Sequence, residues 1–274
     1  MTRTDDAGPS LAVSRDGTEI GYFTTGSGPP LVLVHGLLGD HTRWSMIRPH
    51  LEPHVTVHAM DRRGRGASGD HPEYDPAREP EDVAAVVDAV AEAVGSPVAV
   101  LGSSGGASYT IWAAGLTGNI GQLVLFEPPA GPLATLKPAG LQERLDELLA
   151  AGDREEILLT AYRAIVGLSE EQIAELRSMP SWQNRLAAAH TVPRELATPP
   201  ERLFDPEHAA QVTVPSLVLV GSETPEPFRA SAEVIAAALP EARLEILGGQ
   251  AHGAELFAPE VVAEAVLDFL HLDP

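Results

Sequence analysis

The chain contains no cysteine, which excludes disulfides, thiolate metal ligands and a cysteine nucleophile. Lysine is nearly absent too, with Lys137 its single instance, and 18 basic residues face 39 acidic ones for a formal charge of −21. A surface of that sign repels phosphate backbones and anionic lipid, which argues against nucleic-acid partners and electrostatic membrane docking. No apolar run approaches the roughly 18 residues that suggest a transmembrane helix, and residues 1–10 lack an apolar signal-peptide segment. A cytoplasmic protein is therefore expected. Aromatic residues are only 5 %, yet hydrophobic residues together make up 44 %. Over 274 residues that composition supports one large core with room for an inserted cap, and it argues against disorder.

What is present is an alternation. After two strand-like runs, Leu11–Ser14 and Glu19–Thr24, come six short apolar runs without clean alternation: Leu31–Val34, Val55–Met60, Val98–Leu101, Gln122–Phe126, Leu217–Val220 and Arg243–Leu247. Such runs suit strands buried on both faces of a parallel sheet. Stretches of helical spacing lie between them, at Pro80–Val94, Gly106–Leu116, Phe228–Leu239 and Pro259–Leu270. The pattern predicts an α/β fold with a doubly wound, mostly parallel eight-stranded sheet. The interval 132–212 breaks it, with helical stretches at Leu141–Ala150, Ile157–Val166 and Glu170–Arg177 and no strand-like run. It is expected to be a helical cap, inserted in a core made of residues 1–131 and 213–274.

Chemistry concentrates in three loops. Gly102-Ser103-Ser104-Gly105-Gly106 follows a buried strand and precedes a helix. That context lets a sharp strand-to-helix turn hold Ser104 as a strained nucleophile with small neighbours, and the helix N-terminus favours developing negative charge. Ser103 is a weaker candidate, because Leu101 would then occupy the first glycine position. His35-Gly36-Leu37-Leu38-Gly39 follows the first buried strand, so the amides of Leu37 and Gly105 are the expected oxyanion donors, with His35 structural. His252, in Gly248-Gly249-Gln250-Ala251-His252-Gly253, lies after the last strand and is the expected base. His50, His54 and His58 have the spacing of a metal-binding helix face, but Pro53 and Val55-Thr56-Val57 break a helix there. No metal and no cofactor are expected.

These motifs, with Asp61-Arg62-Arg63-Gly64-Arg65-Gly66-Ala67-Ser68 after the second buried strand, resemble those of α/β-hydrolases over nearly all of 20–270. The resemblance implies Ser–His–acid chemistry and a chiefly structural role for the Asp61 turn. It also implies an acid three residues after Gly221, where this chain has Thr224, a side chain that cannot be the anion. Two carboxylates can replace it: Glu127, in Phe126-Glu127-Pro128-Pro129, and Glu223. Glu127 is favoured, because an acid following apolar residues and fixed by two prolines is costly near a core unless paired. The loop 221–228, Ser103–Ser108 and Met179-Pro180-Ser181-Trp182 are also similar to zearalenone lactone hydrolases, whose acid follows the sixth strand. That comparison makes Trp182 a candidate pocket wall, with burial between cap helices as the alternative. Tyr162 and Phe204 are further candidates for an apolar pocket. The expected activity is hydrolysis of an ester or lactone of a hydrophobic small molecule through an acyl-enzyme. The alternatives are C–C bond cleavage on the same residues, or a small-molecule receptor. A homo-oligomer is left open.

Overall fold

The computed structural model describes residues 8–130 and 138–272. The apolar runs become one eight-stranded sheet: β1 (Ser10–Val13), β2 (Glu19–Gly26), β3 (Pro30–Val34), β4 (Thr56–Met60), β5 (Val98–Ser103), β6 (Ile120–Phe126), β7 (Ser216–Gly221) and β8 (Ala242–Leu247). The strand order is β1-β2-β4-β3-β5-β6-β7-β8, antiparallel for the first two pairings and parallel for the other five. All six residues of β7 are buried, as a strand covered on both faces must be.

In β3 the side chains alternate between two cores. Val32 and Val34 join one, together with Val83, Val86, Val87 and Val90 of the helix Arg78–Val94. Leu31 and Leu33 join the other, with Trp44 and the helix Pro259–Phe269. In chain order the helices are α1 (Arg48–Leu51), α2 (Arg78–Val94), α3 (Gly105–Ala113), α4 (Leu141–Ala151), α5 (Arg154–Ala161), α6 (Glu170–Ser178), α7 (Trp182–Ala188), α8 (Val192–Leu196), α9 (Pro200–Leu203), α10 (Pro206–Ala209), α11 (Glu226–Ala238), α12 (Ala254–Phe257) and α13 (Pro259–Phe269).

The sheet matches the expected fold, and between β6 and β7 the described residues 138–212 contain helices and no strand. The expected boundary at 131/132 falls outside the described residues. A third apolar cluster binds this helical layer to the rest. It joins Leu145, Ile157, Tyr162 and Trp182 of the layer to Leu38 of the loop after β3 and Leu256 of α12. A short π-helical turn, Tyr162–Val166, continues α5 and ends at Gly167 with φ 74°. Turns of this kind widen a helix locally and often border sites. Among the described residues no helix is long and apolar enough to cross a membrane.

Candidate active site

Ser104 sits alone between β5 and α3, with φ 52° and ψ −128°, in a region that side chains other than glycine rarely adopt. The turn is over-determined. Its N–H donates to Phe126 O at 2.8 Å, and its carbonyl accepts from Ala107 N at 2.9 Å. Crowding dictates the flanking glycines: a Cβ on Gly102 would meet Ala107 Cα at 2.5 Å, and one on Gly106 would meet Val34 O at 2.4 Å. Ser103 is occupied elsewhere. Its hydroxyl donates to Glu255 Oε1 at 2.7 Å, and the same oxygen accepts from Arg43 Nη2 at 2.7 Å.

The carboxylate nearest the His252 ring belongs to Glu127, whose Oε2 lies 2.5 Å from Nδ1. Glu127 is fully buried, with φ 46°. Its other oxygen accepts from Gly221 N at 2.9 Å and from Thr224 Oγ1 at 2.5 Å. The parallel register of β6 and β7, Phe126 opposite Leu219, brings the loops after both strands together. Thr224 thus stands where the resemblance implies an acid, and it donates to the Glu127 carboxylate. Glu223 is exposed, and among the described residues its carboxylate accepts only from its neighbour Ser222 Oγ, at 3.1 Å. With Nδ1–H held by Glu127, the imidazole keeps Nε2 as its basic nitrogen. Phe228 packs on the ring at 4.7 Å.

Loop 35–39 abuts the serine. A Cβ on Gly36 would stand 3.0 Å from Ser104 Cβ and 3.1 Å from Ser103 O. His35 is fully buried; its Nδ1 donates to Gly36 O at 2.8 Å and its Nε2 accepts from Arg62 N at 3.2 Å. Burial first, then the charges of Arg65 and Arg62, hold its pKa well below the usual 6.5. It is a neutral strut, in keeping with the structural role expected of it.

The Asp61 turn is richer than expected, because all three of its arginines are buried. Arg63 pairs in bidentate fashion with Asp82, at 2.6 and 2.7 Å. Arg62 reaches both oxygens of Glu79 at 2.9 and 2.8 Å, and Glu195 of α8 at 2.7 Å. Arg65 forms an ion pair with the same Glu195. Burial, then the neighbouring Arg62, pushes Arg65 down to about 9. The sequence held a signal for this cluster: three arginines in four positions after a buried strand, in a chain poor in basic residues.

A cavity of about 290 Å³ lies over these loops, lined by Ser104, Gly105, His252, Leu37, Tyr162 and Phe228 among others. Of the three expected aromatic walls, only Tyr162 reaches it. Trp182 stacks behind Tyr162, ring centroids 6.5 Å apart, because its side of α7 faces the apolar interior of the layer. Phe204 is also displaced. The chain restarts at Pro199 and Pro200, and Phe204, extended between α9 and α10, packs against the core cluster that contains Ile111 and Val212. Asp40, His41 and Asp61 form the one acid–imidazole group of metal-binding compactness among the described residues. Asp61 is already spent as a brace, accepting from His41 N, His41 Nδ1 and Ala67 N at 2.7–2.8 Å, so the group reads as a structural clasp.

Comparison with known proteins gives a consistent set of likenesses. Residues 31–265 match the alpha/beta hydrolase family. A crystal structure of an alpha/beta hydrolase from Sphaerobacter thermophilus is 35 % identical, with a TM-score of 0.81, over 95 % of this chain and 100 % of that one. A thermophilic esterase from Thermogutta terrifontis shares the fold at 21 % identity, with a TM-score of 0.74, over 97 % of this chain and 98 % of its own. The N-formylmaleamate deformylase of Pseudomonas putida is 33 % identical over 144 residues, which are 51 % of this chain; the match spans about half (53 %) of that protein's length.

Proposed function

The chain belongs to the alpha/beta hydrolase family, and from that premise we propose that it cleaves a carboxylic ester or lactone of a hydrophobic small molecule through an acyl-enzyme. In this reading Ser104 Oγ attacks the carbonyl carbon while His252 Nε2 takes its proton. Glu127 holds the imidazole in the tautomer that allows this and offsets the charge of the imidazolium. The carbonyl oxygen becomes an oxyanion facing the amides of Leu37 and Gly105. Collapse expels the alkoxide, which takes the proton from His252; water then attacks the acyl-enzyme with His252 again as base, and Ser104 is regenerated. The helical layer 138–212 acts as the cap, and Tyr162, Phe228 and Leu37 give the cavity the apolar walls that favour an uncharged substrate.

The observation that carries the reading is the buried Glu127 carboxylate on His252 Nδ1, in the same cavity as a serine of strained backbone geometry. A second reading, cleavage of an N-formyl amide, is favoured by the deformylase likeness over half the chain. The test is turnover of p-nitrophenyl esters of graded chain length, of simple lactones and of N-formyl amides, each with wild type and Ser104→Ala. Ester or lactone turnover that disappears in Ser104→Ala is the expected result. Turnover of the amides alone moves the protein to the second reading, and no Ser104-dependent turnover of any of them leaves a binding protein.

A further inference from the structure

Four successive carbonyl oxygens of the loop beside Ser104 each accept from an arginine. Arg62 Nη1 reaches His35 O at 3.4 Å and Gly36 O at 3.2 Å. Arg65 Nη2 reaches Leu37 O at 3.3 Å. Arg185 Nη1 reaches Leu38 O at 3.1 Å. In a trans peptide unit the carbonyl and the following N–H point opposite ways, so pinning one aims the other. The Leu37 amide shares its peptide unit with Gly36 O, which carries both Arg62 and His35.

The first two arginines come from the turn after β4, whereas Arg185 comes from α7 in the cap. Its neighbour Asn184 repeats the link, donating from Nδ2 to Asp40 Oδ2 at 2.8 Å. Arg185 is 2 % exposed, and among the described residues its only other side-chain hydrogen bond runs to Tyr162 Oη at 3.0 Å. Among the described residues no carboxylate lies within ion-pair distance of it, and its Nε and Nη2 meet no acceptor. Arg62 and Arg63, equally buried, have two carboxylates each. Burying a guanidinium without a counter-ion costs on the order of several kcal/mol, and an apolar side chain of that length would pack there without the penalty. Among the described residues, both hydrogen bonds of the Arg185 side chain go to the loop or to a wall of the cavity.

We propose that Arg185 is a positioning residue: seated from the cap, it holds the Leu38 carbonyl, and with it the loop 35–40, in the arrangement that turns the Leu37 amide toward Ser104. This rests on the reading of that amide as an oxyanion donor. The uncompensated charge also lends the loop a positive potential that grows in value as the oxyanion forms. The cap then completes the hydrolytic site as well as covering it.

The experiment compares wild type with Arg185→Met, Arg185→Lys and Asn184→Ala. Arg185→Met is expected to lower kcat on a short p-nitrophenyl ester about 10- to 100-fold with KM within about threefold, because small misplacements of a positioned group act on the transition state. Affinity for an aliphatic trifluoromethyl ketone, which adds to the serine as an oxyanion, falls by the same factor, while affinity for the matching alcohol holds. Arg185→Lys recovers part of the loss. Amide hydrogen exchange rises in the peptide covering 35–40 and is unchanged in β5, and Asn184→Ala, a partly exposed position, gives the same exchange pattern more weakly. A raised KM at constant kcat makes Arg185 a substrate contact and overturns the proposal; unchanged exchange at 35–40 overturns it as well. Wild type without turnover sinks the hydrolase reading instead, and the exchange measurement still decides whether Arg185 holds the loop.

Discussion

In the proposed mechanism the base side and the oxyanion side of Ser104 are built differently. On the base side, Glu127, Thr224 and His252 come from loops that follow β6, β7 and β8, and the strand register sets their spacing. On the oxyanion side, loop 35–39 follows β3, but its carbonyls are held by guanidinium groups, and two partners in that network, Arg185 and Glu195, come from the helical layer. The first side is complete once the sheet has formed. The second is complete only when the layer is seated. The groups around His252 thus hang on the sheet alone, and those around loop 35–39 on the sheet and the helical layer together.

Three measurements sharpen the contrast. The largest effect is expected on the base side. Glu127→Gln keeps the shape and removes the anion, so kcat should fall by about 10³- to 10⁴-fold, as for an imidazole left in the wrong tautomer. Glu223→Gln, at an exposed position, should stay within about twofold, since surface changes away from paired groups do little. The opposite ranking of the two kcat values would hand the acid role to Glu223. Next comes Thr224→Val. It strips a buried carboxylate oxygen of one of its two donors at nearly constant volume, leaving Gly221 N, and losing a hydrogen bond to a charged group costs about 1.5–3 kcal/mol. Both kcat and the urea midpoint should drop. Loss of stability with kcat intact would make Thr224 a packing residue and no more.

The smallest effect belongs to the oxyanion side and depends on pH. Folding holds His35 neutral well below its usual 6.5, whereas the unfolded chain takes up the proton there. The unfolded state therefore binds more protons below about 6.5, and stability that is fully present above that value is lost as pH falls. His58, pushed down to about 4 by burial, acts with the same sign. His35→Asn should flatten the pH dependence of urea unfolding by up to one proton below pH 6.5. An unchanged slope would mean that His35 titrates alike in both states.

What could be read from the sequence follows the same division. Ser104, its glycines and His252 were legible because each requirement is met within a few consecutive residues. Glu127 was legible because a carboxylate after four apolar residues has to find a partner. The role of Thr224 was half-legible, as an absence of charge; that it donates to Glu127 depends on two strands 90 residues apart in the chain lying in register. The arginine cradle was not legible, since it joins residues 35–38, 62, 65, 185 and 195 and no local pattern announces such a convergence. Trp182 and Phe204 show a related limit. Helical spacing and apolar character say that a side chain turns inward, but not whether it meets the cavity, the interior of the layer or the core under the sheet.

Arg185 also bears on how this protein can be re-engineered. One way to change specificity is a chimaera that exchanges the helical layer 138–212, the lid of the proposed site. Here residues 184, 185 and 195 would leave with the lid, and the recipient core would keep Arg62 and Arg65 with one shared counter-ion gone. A transplanted lid therefore has to bring an equivalent of each, or the hybrid will bind its new ligand in front of a slack loop. The specificity of such a hybrid and its rate cannot be designed on separate pieces of the chain.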